Sequence, residues 1–391
     1  MEEDLLLKKS VSSLIYNKIF KPLVSQDEGL DAEKIFNFSI KSLSQLSIRR
    51  EWPLIKSGLL SLKNELKLFD NRLSQNYFGC HFANPIGLAA GFDKDGVAAG
   101  IWEFLGFGYA ELGTTTFHPQ FGNAKPRLFR LAKEKGALNR MGFNNNGAAD
   151  MKKALIRQKI RPPGKRPITL GINIGKSKIC NIEDAADDYA SSLEILASLA
   201  DYAVINISSP NTSGLRKLQE KNKLRNLIRR LKVIPYCPPL LIKIAPDLED
   251  IQIDELSNLA MEESLAGVIA VNTSINRLGL EKRVIKQTGL RLDQEQGGLS
   301  GDPICQRANE VVKRIYLNKI DMPIIGVGGI RTARSAWERI TSGASLIQIY
   351  TGWIYQGPSA VPIMLQGLIN QIEKHGFKNI SDAVGSEAPW I

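Results

Sequence analysis

Six asparagines, Asn139, Asn144, Asn173, Asn206, Asn211 and Asn272, have side chains suited to recognising a planar heterocycle. Each amide offers donors and an acceptor, matching the alternating N–H and C=O edge of a pyrimidine or a flavin. Left buried without partners, such a group costs roughly 1–3 kcal/mol. A single asparagine is more often a turn former; several at the ends of buried strands point to a heterocycle site. Lys94 and Lys243 bring positive charge. Lys243 lies inside the apolar run 240–246, where an ammonium is expensive unless an anion meets it. A substrate carboxylate or a reduced, anionic flavin ring would answer that need. Lys94, in a loop, also reads as a lysine reaching solvent. Gly326-Val327-Gly328-Gly329 and Tyr350-Thr351-Gly352 are stretches where a backbone can approach a phosphate closely, or simply turn tightly.

Other chemistries find little support. The three histidines (His81, His118, His375) have no metal-ligand spacing, and the four cysteines (Cys80, Cys180, Cys237, Cys305) form no CxxC pair. Catalysis without histidine and without a metal is expected, in a reducing compartment. Lys and Arg number 51 against 40 Asp and Glu, a net charge of +11 that favours anionic partners. The densest basic stretch, Lys221 to Arg230, reads as a solvated helix face, so no nucleic-acid partner is expected. No apolar run approaches the roughly 18 residues that span a bilayer. The acidic start, Met1-Glu2-Glu3-Asp4, fits neither a secretory signal nor an organelle presequence.

The elements that must position these residues are legible as a recurring unit. Eight short apolar runs, at 85–91, 109–116, 169–175, 202–210, 240–246, 267–273, 323–329 and 346–352, each end in polar or glycine-rich residues and precede a helical stretch. Such runs read as parallel strands buried on both faces. Eight is the number that closes an α/β barrel of the (β/α)8 TIM type; an open doubly wound sheet is the alternative. In a barrel the strand ends carry the chemistry, and the loops after strands 7 and 8 commonly take a phosphate. The long intervals 117–168 and 274–322 leave room for active-site loops. Ahead of the barrel, Asp31 caps a helix with Ala32, Ile35, Phe36, Ile40, Leu43 and Leu46 on one face. A second helix carries Ile55, Leu59, Leu62, Leu66 and Phe69. The expected division is an amphipathic helical extension over 1–75 and a catalytic barrel over 76–391. The helices read either as packing on the barrel or as a lid or membrane-contacting patch.

Eight motifs, in order, carry a family resemblance. They are Gly-Leu-Ala-Ala-Gly-Phe-Asp-Lys-Asp (87–95), Lys-Pro-Arg-Leu-Phe-Arg-Leu (125–131), Asn-Arg-Met-Gly-Phe-Asn (139–144), Gly-Ile-Asn-Ile-Gly-Lys (171–176), Asn-Ile-Ser-Ser-Pro-Asn-Thr (206–212), Lys-Ile-Ala-Pro-Asp-Leu (243–248), Gly-Gly-Leu-Ser-Gly (297–301) and Ile-Ile-Gly-Val-Gly-Gly-Ile (324–330). From about residue 30 to 385 the chain resembles the quinone-dependent class of dihydroorotate dehydrogenases. The resemblance implies an FMN flavoprotein that oxidises (S)-dihydroorotate to orotate in pyrimidine biosynthesis. For FMN it points to Ala89, Ala90 and Gly91, to Thr114, Asn173, Asn206 and Lys243, and to Gly301, Gly329, Tyr350 and Thr351. For substrate it points to Lys94, to the segment Asn139, Arg140, Met141, Gly142, Phe143 and Asn144, and to Asn206, Asn211, Asn272 and Thr273. Ser209 takes the place of the catalytic base, with Thr212 beside it as a relay through water, and Arg130 and Tyr350 match quinone contacts.

The resemblance also implies a membrane quinone as acceptor and a monomer associated peripherally with the cytoplasmic face of a bacterial membrane. Three departures from the family pattern are present. Val271 stands where a hydroxyl residue is frequent, Phe36 where a histidine is frequent, and 51–73 lengthens the link into the barrel. Two other readings remain: a soluble enzyme using fumarate or NAD, and a flavin-binding barrel without catalysis. Ser209 and the N-terminal extension oppose the first; Ser209 and Lys94 oppose the second.

Overall fold

The computed structural model describes residues 16–24, 26, 27 and 31–391. The eight apolar runs become β1 (Ile86–Leu88), β2 (Tyr109–Thr115), β3 (Thr169–Ile174), β4 (Tyr202–Asn206), β5 (Leu240–Ile244), β6 (Gly267–Ala270), β7 (Ile324–Val327) and β8 (Leu346–Ile349). They are parallel neighbours in chain order, and β8 closes onto β1 through Ile347 opposite Ile86. Every residue of these strands is buried, as expected for a sheet with helices on one face and a filled interior on the other. The lower interior holds Tyr109, Tyr202, Leu241, Ile269 and Ile325. Below them a hairpin, Gln75–Tyr77 with Cys80–Phe82, drives Phe82 edge-on into Tyr109 at 5.1 Å.

The two long intervals hold more than loops. Leu128–Leu131, Gly136–Asn139 and Gly298–Gly301 form an antiparallel three-stranded sheet that contributes to the wall of the cavity at the barrel mouth. Its strands are four residues each and come from segments about 160 residues apart, so no local period announces them.

The N-terminal helices are α1 (Ala32–Ile48) and α2 (Pro53–Leu66). Asp31 caps α1 by accepting the Lys34 N–H at 2.9 Å. Proline opens α2, where its missing N–H costs nothing. The second helix ends at Leu66, short of Phe69, which stands exposed beyond it. Both helices are fastened to the barrel. Glu33 pairs with Arg127 at 2.7 Å, both side chains buried, and Ser47 donates to Gln158 at 2.6 Å while accepting the Gly100 N–H. Leu59 and Leu66 join the main core. The boundary expected at 75 falls inside a hairpin strand; the chain changes character before Gln75, at the turn Asn71–Leu73. Residues 1–15, 25 and 28–30 of the expected extension lie outside the described residues. No described helix is long and apolar enough to cross a membrane.

Candidate functional site

A cavity of about 650 Å³ runs from the barrel mouth to the N-terminal helices. Ala89, Ala90, Gly91, Thr114 and Lys243 line its barrel side, with Gly301, Gly329, Tyr350 and Thr351 at one end. Lys94, Asn139, Met141, Gly142 and Phe143 close the opposite side, together with Ser209, Asn211, Asn272 and Thr273. Toward α1 and α2 the lining turns apolar, through Ile35, Leu43, Leu46 and Leu62. An aromatic file, Phe36 to Phe92 at 5.3 Å and Phe92 to Tyr350 at 5.2 Å, joins the helix to the barrel end. The strand ends thus bring together nearly all of the residues singled out above, and Phe36 and Val271 line the same space.

The amides form a connected row at the base. Asn272 Nδ2 approaches Asn206 Oδ1 at 3.3 Å, Asn206 Nδ2 donates to Asn173 Oδ1 at 3.0 Å, and Asn173 Nδ2 donates to Glu111 Oε1 at 2.8 Å. Thr114 also donates to Asn173 Oδ1, at 2.6 Å. Asn173 therefore lies beneath the cavity and reaches it through Thr114 and Asn206. Near the mouth, Asn211 Nδ2 approaches the Asn139 carbonyl at 3.2 Å. Asn144 turns its oxygen to Lys94, accepting from Nζ at 2.6 Å.

The two lysines differ. Burial pushes Lys94 down to about 8; nearby Arg127 acts the same way, while Glu33 and Asp95 oppose. Burial also lowers Lys243, against the pull of Glu111, whose Oε1 lies 3.9 Å from Nζ. A protein carboxylate thus answers the anion requirement of Lys243 that the sequence reading gave to substrate or flavin alone. Glu111 is fully buried and was missed; a glutamate inside the otherwise apolar run Tyr109-Ala-Glu-Leu-Gly was the available signal. Asp93 was missed too. It is fully buried and accepts from Val97 N, Ala98 N and Trp102 Nε1, clamping the turn that presents Lys94, and burial raises it to about 7.

Ser209 follows β4, is 6% exposed, and its Oγ accepts the Asn211 N–H at 3.2 Å. One expectation needs correction. Arg140 turns away from the cavity: its guanidinium pairs with Glu295 and donates to the Pro126 and Gln296 carbonyls, so the segment 139–144 faces the substrate side without it. Thr212, the expected relay through water, borders a separate outer cavity, and its buried Oγ1 has no partner among the described residues. Arg130, in the three-stranded sheet, lines the cavity and donates from Nε to the Gln26 carbonyl at 3.1 Å. Tyr350 donates to the Gly91 carbonyl at 3.3 Å.

The donor set fits a flavin. Gln348 lines the cavity with its Nε2 committed to Glu111 at 2.6 Å, while its buried Oε1 has no partner among the described residues. That is an acceptor awaiting an N–H donor from a bound group. Gly91, at φ +97°, adopts a conformation that side chains rarely take, which keeps the backbone bare along the wall.

Comparison with known proteins places the chain in a family. Residues 72–372 match the family described as dihydroorotate dehydrogenase. The chain is 57% identical over 377 residues to a protein of Prochlorococcus marinus (strain MIT 9313) named dihydroorotate dehydrogenase (quinone), covering 96% of each. A protein of Nostoc punctiforme with the same name is 49% identical over 95% of this chain and 98% of that protein. Among solved structures, the DHODH of Eimeria tenella in complex with ferulenol is 32% identical, with a TM-score of 0.77 over 97% of this chain and 99% of that one.

Proposed function

Because the chain belongs to the dihydroorotate dehydrogenase family, and is a flavin-dependent enzyme oxidising dihydroorotate to orotate with a quinone in pyrimidine biosynthesis, we propose how its residues divide that work. The observation that carries the reading is one continuous cavity, polar and amide-lined at one end and apolar between two helices at the other. The flavin would be FMN, with Gly329 and Thr351 the residues to hold its phosphate. Ala89, Ala90, Gly91, Thr114, Asn206, Gly301 and Tyr350 hold the rest, with Asn173 supporting from beneath. Asn139, Asn144, Asn206, Asn211, Asn272 and Thr273 orient the substrate ring, with the backbone of Met141, Gly142 and Phe143 closing over it. Lys94 meets the substrate carboxylate.

Ser209 accepts the proton leaving C5, and the amides fix the ring so that C6 faces its acceptor, a positioning contribution. A bound flavin would supply the hydride acceptor and the two-electron store between substrate and quinone. Lys243 offsets negative charge arriving at the cavity floor. At the far end Arg130 and Tyr350 meet the quinone head, and α1 and α2 wall its tail. Phe38, Trp52, Leu54 and Phe69 are exposed on this side, with Arg49 over the Trp52 ring and Lys67 over the Phe69 ring. Apolar groups flanked by cations suit an anionic bilayer surface. The enzyme works as a monomer bound peripherally to the cytoplasmic face of a bacterial membrane.

Two measurements test this division. Dihydroorotate should bleach the yellow protein anaerobically, and long-tailed quinone should restore the colour. Leu46→Glu, a charge in the apolar path, should slow that restoration at least about tenfold while leaving bleaching by dihydroorotate unchanged. Equal reoxidation rates would move the quinone site elsewhere. The second test is pH. Lys94 must be cationic to meet a carboxylate, and its value near 8 means the cation is lost as pH rises through 8. The kcat/KM for dihydroorotate should therefore fall above about pH 8. A flat profile to pH 10 would remove Lys94 from carboxylate recognition.

A further inference from the structure

We propose that Glu111 is a positioning residue of the redox site: its carboxylate holds Lys243 as a cation and sets the direction of the whole amide row. This rests on the cavity being the flavin site. Glu111 and Lys243 are both at least 95% buried, on β2 and β5. Replacing such a pair with apolar residues is often neutral or stabilising, so its presence calls for a use other than holding the fold. Among the described residues, Glu111 is the only acid within ion-pair distance of Lys243. Burial holds the phenols of Tyr109 and Tyr202, in the barrel interior, in the neutral form, and the charge of Glu111 acts the same way.

A carboxylate only accepts hydrogen bonds. Asn173 and Gln348 must therefore turn their NH2 groups toward Glu111, as the bonds of 2.8 and 2.6 Å record. Their oxygens are then committed the other way. Asn173 Oδ1 accepts from Thr114 and Asn206, Asn206 Oδ1 faces Asn272 Nδ2, and Gln348 Oε1 is left to the cavity. Each donor in the row points toward Glu111, an arrangement in which successive bonds polarise one another. One buried charge thus sets the direction of four amides, and with it the edges that Asn206, Asn272 and Gln348 turn to the cavity. A glutamine at 111 offers both donor and acceptor and leaves that direction undefined.

The same charge fixes the proton on Lys243. Without it, burial favours the neutral amine until negative charge reaches the floor with the electron pair. Two-electron reduction would then carry one proton more, taken up on Nζ.

The test uses the purified full-length holoenzyme and its Glu111→Gln variant, measuring FMN dissociation and the pH dependence of the flavin midpoint potential. Expected are FMN binding weaker by about tenfold, from a lost charge-assisted anchor, and a potential that falls with pH about twice as steeply. Adding Lys243→Met to the variant should return the slope to that of the parent, since no amine is left to titrate. A single variant with parental slope and FMN affinity overturns the proposal. Should Glu111→Gln fail to hold FMN, Glu111→Asp, which keeps an acceptor-only carboxylate, decides: recovered binding supports the proposal, and none refutes it. A parent protein that binds no flavin would instead overturn the reading of the cavity.

Discussion

Ser209→Ala should bleach with dihydroorotate at least about a hundredfold more slowly than the parent, the usual size of a lost acid–base group. It should still hold flavin and bind orotate. The substitution removes one oxygen from a side chain that is 6% exposed on the cavity wall. The Asn211 N–H loses its acceptor, a penalty of roughly 1–3 kcal/mol that falls on the loop in every state and not on proton transfer alone. A slow step with intact orotate affinity therefore isolates the chemistry. Anaerobic stopped-flow bleaching measures the rate, and the spectral change on adding orotate measures binding. Ser209→Cys, which keeps a titratable group, should recover part of the rate. An alanine variant reducing at the parental rate would take Ser209 out of the mechanism.

Lys243→Met should be the most destabilising single change at the site. It leaves Glu111 buried on β2 with two amide donors but no cation. Breaking a buried pair from one side costs roughly 3–5 kcal/mol. The expected results are a lower thermal midpoint, less flavin per chain, and a lower midpoint potential for the flavin that remains. Thermal unfolding, the flavin-to-protein ratio and a redox titration read these separately. Parental values in all three would show that Lys243 serves neither the fold nor the ring.

The barrel was legible because its strands are buried on both faces and so read as unbroken apolar runs. The ends of those runs named the site, since a barrel collects its strand termini around one mouth. What escaped was whatever depends on distant partners. Gly136–Asn139 pairs with Gly298–Gly301, and no local pattern in either short segment calls for the other. Lys243 announced a missing anion, yet its partner sits 132 positions earlier on a strand three places round the barrel. Arg140 shares a motif with Asn139 and Asn144 but points outward, because it follows directly on the strand end at Asn139, where successive side chains take opposite faces; Gly142 and Phe143, both at positive φ, then turn the chain before Asn144. The end of α2 was overrun by one turn for a simpler reason: an apolar period continues to Phe69 although the hydrogen-bonded turns stop at Leu66.

The buried pair between Glu33 and Arg127 has a consequence for how the sequence can drift. Arg127 also donates to the Phe121 and Asn123 carbonyls, and the Asn123 amide donates to the Asn211 carbonyl. Changing Glu33 leaves the buried Arg127 guanidinium with carbonyl partners alone, and changing Arg127 leaves the buried Glu33 carboxylate to the exposed Lys125. Substitution at position 33 is therefore tied to position 127, 94 residues away, and through it to the loop that bears Ser209. The helix over the apolar passage and the loop over the substrate are heirs to a single constraint, and a chimera that takes the helix from one relative and the barrel from another inherits a mismatch at that joint.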